Sequence, residues 1–595
     1  MKEEIKKRIY THGVIAVLLA IALGALCLGF GTSPFSSTQN SFLKTFTSNE
    51  ELRSYLIVNS KIQGMFSFLG PEDAIALNAM HTLSEAEIAS APSLRLYSTT
   101  NVQVAGVDEA DVVKTDGEYI YLISNGSVLI LKACPPNQAE VLSKIAYNDT
   151  YPAGIFVSNS SDRLAVLSCK YTIRDVVVFP GNYYPNFIDI RTSIDIYNIS
   201  DKTKPIRLTN FMISGSYFNS RMIGDYIYFV VSQPAYIIYD TVILPKIYSN
   251  AGITDINANE IHYSNSLDDY YLYTTIVAVN IADVAQQPTH ETIMMGGTSS
   301  IYVSPNNIYI TFPEANGQTA IYRVHIEGNT INPDAKGNVP GREVNQFSMD
   351  EYNGYFRIAT TTRINGTTQN NLYILNTNLT IVGSLENIAI GEAIDSARFI
   401  GDRCYLSTSI VRRDPFFVID VQNATEPRIL GNLSIPGFTR YLHPYDENHV
   451  IGIGRDANNK VKISLFDVSN VSAPIEMGNY TVEGDWSDTP VLTEHKAFLF
   501  DRSKDLLAIP LTISTYDQVT YSLWQGVYVF NITLSNGLAL KGNVTHQNDS
   551  AYYWDSNYWI NRELYIENVL YTVSNSEIKM NDLTTLALIK EIKFS

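Results

Sequence analysis

Residues 194–208 read IDIYNISDKTKPIRL, and two later stretches repeat the phrase in other words: FVIDVQNATEPRIL at 417–430 and SLFDVSNVSAPIEM at 464–477. Each is a β-rich run, a turn of D/N-x-S/T character, a proline and a second strand. Self-similarity at roughly 40–50 residues marks a small sheet that cannot bury its own faces and must stack on copies of itself. Residues 394–432 show the whole unit as four short strands, DSARFIG, DRCYLSTS, PFFVIDV and RILGNL. The same grammar fits FNSRMIGDYIYFVVS with TIVAVNIADV, TRYLHPYDENHVIGIG, and VLTEHKAFLFDRSKDLLAIPLTIS with GVYVFNI. It opens with VVKTDGEYIYLIS and ends with YWINRELYIENVLYTVS. The pattern predicts an all-β chain, a single large propeller of eight or nine four-stranded blades over residues 99–595.

The region before residue 99 reads differently. Lys2, Lys6, Lys7 and Arg8 precede the apolar run GVIAVLLAIALGALCLGF at 13–30, which lies at the short end for a membrane-spanning helix. Residues 1–30 are therefore expected to be a cytoplasmic flank and signal anchor, with everything after them outside the cell. Cleavage of the segment, giving a secreted protein, is the alternative. Residues 31–98 read as a polar linker and a short helical stalk, with Ser48 and Glu51 as a capping box. The thirteen N-x-S/T sequons agree with an external location: Asn125, Asn148, Asn159, Asn198, Asn365, Asn378, Asn423, Asn432, Asn470, Asn479, Asn531, Asn543 and Asn548. The net charge of −18 repels phosphate backbones, which excludes nucleic acid as the expected partner.

Long insertions interrupt the repeat between its second and third strands, at 171–191, 234–273 and 515–525. All three are aromatic-rich, and long loops on a rigid scaffold are where binding resides. Tyr183, Tyr184, Tyr236, Tyr263, Tyr270, Tyr271, Tyr521 and Trp524 are thus candidate binding residues, presented on one face to a cell-surface protein or glycan. Packing of the loops on one another is the competing reading.

Reaction chemistry is harder to find. Asp108, Glu109 and Asp111 could coordinate Ca²⁺, but they lack the spacing of a calcium loop and also suit turn-capping. No other cofactor is predicted. His443, Asp446, Glu447 and His449 cluster in HPYDENH, where Asp446-Glu447-Asn448 reads as a hairpin turn rather than a metal site. There is no GxSxG. Four tryptophans are too few for one in every blade of a quinone-dependent dehydrogenase. Four cysteines (Cys27, Cys134, Cys169 and Cys404) form no CxxC, and Cys134 and Cys169 are either a pair or two buried small hydrophobes.

Residues 99–124, TTNVQVAGVDEADVVKTDGEYIYLIS, closely resemble the opening of secreted and membrane-anchored archaeal and bacterial β-propeller proteins distantly related to WD repeats. QFSMDEYNGYFRIATTT, YLHPYDENHVIGIG and AFLFDRSKDLLAIP look like later landmarks of that family. The resemblance implies a propeller outside the cytoplasm and implies no chemistry. The expected function is a membrane-tethered binding or scaffold module. A carbohydrate-active or other hydrolytic propeller, with carboxylates near its axis, is the alternative.

Overall fold

Turn chemistry explains why the repeated phrase folds as it does. Asp420 Oδ1 accepts from Gln422 N at 3.0 Å, and Asn423 Oδ1 accepts from Thr425 N at 3.1 Å and from its hydroxyl at 2.9 Å. Asp467 with Ser469, and Asn470 with Ser472, repeat the arrangement, as do Asn198 with Ser200 and Asp201 with Thr203. Two successive side-chain turns, three residues apart, thus reverse the chain between the third and fourth strands of a unit.

The computed structural model describes residues 43–59, 96–158, 160–174, 187–238, 240–249, 252–264, 270–409, 413–517, 521–547 and 554–594. Among these, strands of residues 113–146, 151–214, 216–295, 300–340, 349–388, 393–436, 438–481, 486–544 and 562–593 form nine sheets, each built on four antiparallel strands. In each, the chain moves from the innermost strand outward. Burial follows that order: Ser127–Lys132 and Val461–Asp467 are buried almost throughout, whereas the outer strands Glu140–Ala146 and Ile475–Thr481 are largely exposed. Middle strands have neighbouring sheets on both faces, so they are near-continuously apolar.

Adjacent sheets share their cores. The first and ninth do so as well, with Leu129 and Leu131 packed beside Tyr571 and Val573. Tyr571 Oη donates to the Ala133 carbonyl at 2.8 Å. Residues 96–98 then extend the ninth sheet along its innermost strand, Arg562–Ile566: Ser98 N donates to Tyr565 O at 3.0 Å and Glu567 N to Leu96 O at 2.7 Å. The start of the propeller is thereby hydrogen-bonded to its end.

A second device recurs around the ring. Eight of the nine outer strands carry a β-bulge, Thr289–Met295 being the exception, and in several of them the residue beside the bulge meets the turn of the next sheet. Gly383 and Gly431 occupy this position in the fifth and sixth sheets. A Cβ on Gly383 would overlap the carbonyl oxygen of Ala424, and one on Gly431 that of Val471. In two other sheets the residue there bonds the turn: Ser143 Oγ donates to Lys202 O at 2.7 Å, and Lys590 Nζ to Asn137 O at 3.3 Å across the closure.

The 234–273 insertion is not a free loop. Its hairpin Lys246–Ser249 and Gly252–Asp255 adds to the outer edge of the second sheet, and Ile261–Tyr263 adds in parallel to the third. Residues 43–59 cover it. Lys44–Thr45 pairs with Ile261–Tyr263, and the helix Asn49–Asn59 buries Leu52 and Leu56. This part of the expected linker and stalk is packed onto the third sheet. Ser48 caps the helix, its Oγ accepting from Glu51 N at 3.2 Å, but the Glu51 carboxylate reaches Thr47 N and Oγ1, both at 2.7 Å. The expected 13–30 span and the stalk beyond residue 59 lie outside the described residues. Among the described residues no helix is long and apolar enough to cross a membrane. Cys134, Cys169 and Cys404 are all buried and free, so the Cys134–Cys169 pair is not formed.

Between the eighth and ninth sheets His546 is fully buried, with Nδ1 3.0 Å from Ser574 Oγ and Nε2 2.9 Å from Thr572 Oγ1. Burial, and then the Lys579 ammonium, push its pKa down to about 3. The folded state therefore refuses a proton that the unfolded chain accepts near pH 6.5. The stability this contributes is complete above pH 6.5 and drains as pH falls toward 3, by up to about 1.4 kcal/mol per pH unit. Measured against His546→Gln in urea titrations, wild-type stability should fall with that slope between pH 6 and 4; parallel profiles would refute it.

Candidate functional site

Residues 96–111 cross the axis of the ring and touch inner strands on all sides. Asn101 Nδ2 donates to Tyr441 Oη at 3.2 Å and to His495 O at 3.0 Å. Gln103 Nε2 donates to Gln346 O at 3.0 Å, and Val104 packs among Tyr302, Tyr309 and Phe356. Asp108–Glu109 pairs with the inner strand of the third sheet, and Asp111 N bonds Ile155 O in the second. The axis is filled by a strap of the protein's own chain.

The three carboxylates proposed for Ca²⁺ sit in this strap and diverge to separate cations. Asp108 Oδ1 accepts from Lys114 Nζ at 2.7 Å, and Asp111 Oδ1 from Arg562 Nε at 2.9 Å. Glu109 Oε1 accepts from Gln103 N at 3.0 Å and lies 3.5 Å from Arg221 NH2. Burial raises the Glu109 carboxyl pKa, opposed by Arg221 and Lys496. Among the described residues no three His, Cys, Asp or Glu side chains gather as a metal would require. His495, wholly buried 3.6 Å from Glu109, is held neutral by burial and by the cations Lys496, Arg221 and Arg562.

Beside the strap, between the first, eighth and ninth sheets, lies a cavity of about 200 Å³. Glu563 lines it. This side chain is 6 % exposed, and neither carboxyl oxygen meets a donor in good hydrogen-bond geometry, the Leu499 amide being the one backbone group that acts on it. Burial pushes its pKa well above the ordinary carboxylate range even with Arg562 adjacent. HPYDENH forms a hairpin turn, as its Asp446-Glu447-Asn448 sequence predicts: His449 Nδ1 lies 2.7 Å from Asp446 Oδ1 across the two-residue turn, and His443 Nδ1 lies 3.1 Å from Tyr441 Oη.

The aromatic insertions divide sharply. Tyr263 stacks on Phe46 at 4.0 Å, and Tyr55 lies edge-on to Tyr263 and Tyr271. Tyr263 and Tyr271 are core residues, Tyr236 is half-buried, and the Tyr270 hydroxyl sits against Gly297. Packing accounts for Tyr263 and Tyr271, while Tyr270 is 37 % exposed. Tyr183 and Tyr184 lie outside the described residues. On the eighth sheet Tyr521 remains exposed at 53 % and stacks on Trp554, itself 67 % exposed, with ring centroids 5.6 Å apart. Trp524 turns inward, half-buried and edge-on to Tyr528.

Of the sequon asparagines, Asn159 and Asn548 lie outside the described residues. Asn125, Asn148, Asn365, Asn378, Asn423, Asn432, Asn470, Asn479, Asn531 and Asn543 are exposed, and Asn198 is half-buried. Asn198, Asn423 and Asn470 use only Oδ1 in their turns, which leaves Nδ2 available for a glycan.

The reading of the sequence missed Arg221, His495, Arg562, Glu563 and Trp554. A signal existed for the arginines: a lone cation recurs in the apolar opening strand, as Arg221 in FNSRMIG, Arg398 in DSARFIG and Arg562 in NRELYI. All three are buried at the inner ends of their sheets. Trp554 carried no pattern, since it approaches Tyr521 from a different loop.

A family model described as "Beta propeller domain" matches residues 97–586. An uncharacterized protein of Archaeoglobus fulgidus is 26% identical, over 98% of this chain and 99% of its own length. An uncharacterized protein of Methanocaldococcus jannaschii is 25% identical, over 98% of this chain and 97% of its own. Among solved structures, Sqt1 from Chaetomium thermophilum matches with a TM-score of 0.34 at 11% identity, covering 62% of this chain and 84% of that one.

Proposed function

This chain belongs to the β-propeller domain family, and on that premise we propose that it is a membrane-tethered, extracytoplasmic binding module for a cell-surface glycan or protein. The observation that carries the reading is the exposed Tyr521–Trp554 stack. Flat aromatic faces left to solvent, one of them on a sheet strand, suit sugar rings and partner side chains alike. The strap across the axis supports a binding role, because it occupies the place where a propeller enzyme would hold its substrate. The basic flank and apolar run of residues 1–30 support the tether, and the exposed sequon asparagines support an outside location.

The test is capture of envelope glycans and proteins by the full chain and by Tyr521→Ala/Trp554→Ala, with cell fractionation of both. Each ring is expected to contribute about 1–2 kcal/mol, so the double variant should lose tenfold or more in affinity while still fractionating with membranes. Undiminished capture refutes the aromatic site. A chain found in the cytosolic fraction refutes the tether.

A further inference from the structure

The cavity beside the strap is a site distinct from the Tyr521–Trp554 stack. Its ion pairs are internally satisfied: Lys114 is held by Asp108, Thr100 and the Glu109 carbonyl, and Arg562 by Asp111. What remains under-satisfied is Glu563: neither buried carboxyl oxygen meets a donor in good hydrogen-bond geometry, and the Leu499 amide is the one backbone group that acts on it. A buried polar group left so costs about 1–3 kcal/mol, a penalty that a ligand or water can relieve. The other walls bring Thr99, Asn101 and Asp108 together with the rings of Tyr97 and Phe498. Thr99 is exposed, so the cavity is reachable from solvent.

We propose that this cavity binds a small, neutral, polyhydroxylated molecule the size of one sugar ring, with Glu563 as its central hydrogen-bonding group. The lining carries no unpaired lysine or arginine to attract an anion, and no group of acids arranged for a metal. A protonated carboxyl both donates and accepts, which matches a hydroxyl, and the aromatic walls match the apolar faces of a pyranose. About 200 Å³ is smaller than the roughly 300–1,000 Å³ that takes drug-sized ligands, and equals roughly seven waters at about 30 Å³ each. That is room for a single ring, not a chain.

The experiment is saturation-transfer NMR and calorimetry on the folded protein with the methyl glycosides of glucose, galactose, mannose and N-acetylglucosamine. At least one should bind saturably. Glu563→Leu should weaken it at least tenfold, and Glu563→Gln should keep it within about threefold. Thr99→Val, at the exposed mouth, should weaken it severalfold and replaces Glu563→Leu if that variant does not fold. No saturable binding by any of the four overturns the proposal and leaves the cavity to water. Binding lost with Trp554→Ala but kept with Glu563→Leu also overturns it, and assigns the sugar to the Tyr521–Trp554 stack.

Discussion

Replacing Arg562 with Met should lower the unfolding free energy by about 3–5 kcal/mol, the cost of leaving a buried charge without its partner. Arg562 donates to Asp111 at 2.9 Å and to the Asn561 carbonyl at 2.7 Å, and lies 3.3 Å from Glu494. Asp111 is 5 % exposed, so water cannot replace the guanidinium. After the substitution its other oxygen contact is the Val112 amide at 2.7 Å. Adding Asp111→Asn should return part of the loss, because an amide keeps that bond without the charge. Urea unfolding followed by tryptophan fluorescence measures both variants. A single variant within 1 kcal/mol of wild type (roughly the value of an exposed pair) would show that the strap is not held by this ion pair.

Gly431→Ala should cost about 1–3 kcal/mol, the range for forcing a methyl group into a filled space. The added Cβ overlaps the Val471 carbonyl oxygen and lies 2.9 Å from Ser472 C and Cα. All three are backbone atoms, so no side-chain rotation relieves the overlap. The seventh sheet supplies the control. Gly478 holds the same bulge position, but the next turn presents Gly537, and a Cβ there meets nothing closer than 3.7 Å. Gly478→Ala should therefore be neutral or slightly stabilising, through the lower entropy of the unfolded chain. Equal effects at the two positions would refute the contact between bulge and turn.

The ring was legible in the sequence because its signals are local and repeated. Asp420 and Asn423, or Asp467 and Asn470, announce a turn from neighbours two residues away, and the glycine of RILGNL reappears at the bulge. The position of the insertions within the unit was legible for the same reason. Their fate was not. Tyr263 and Tyr271 became core residues because residues 246–263 complete the edges of two sheets, and period-two alternation does not say which edges lack a strand. The axis was least legible. Glu109 meets Arg221 and His495, and Asp111 meets Arg562 across 451 residues. Its members come from the strap and from the third, eighth and ninth sheets, so no stretch of sequence contains the cluster. Lone arginines in apolar strands were its only trace.

The seam between residues 96–98 and Arg562–Ile566 also sets a clock. Ser98 bonds a residue 467 positions later. At synthesis rates of about 5–20 residues per second, roughly 25–90 s pass between the emergence of the two partners. Throughout that interval the strap, with Glu109 and Asp111, has no Arg562 to receive it and no closed axis to enter. The carboxylate of Asp111 is thus among the last groups to be sequestered from water, although it lies in the first propeller residues to be made.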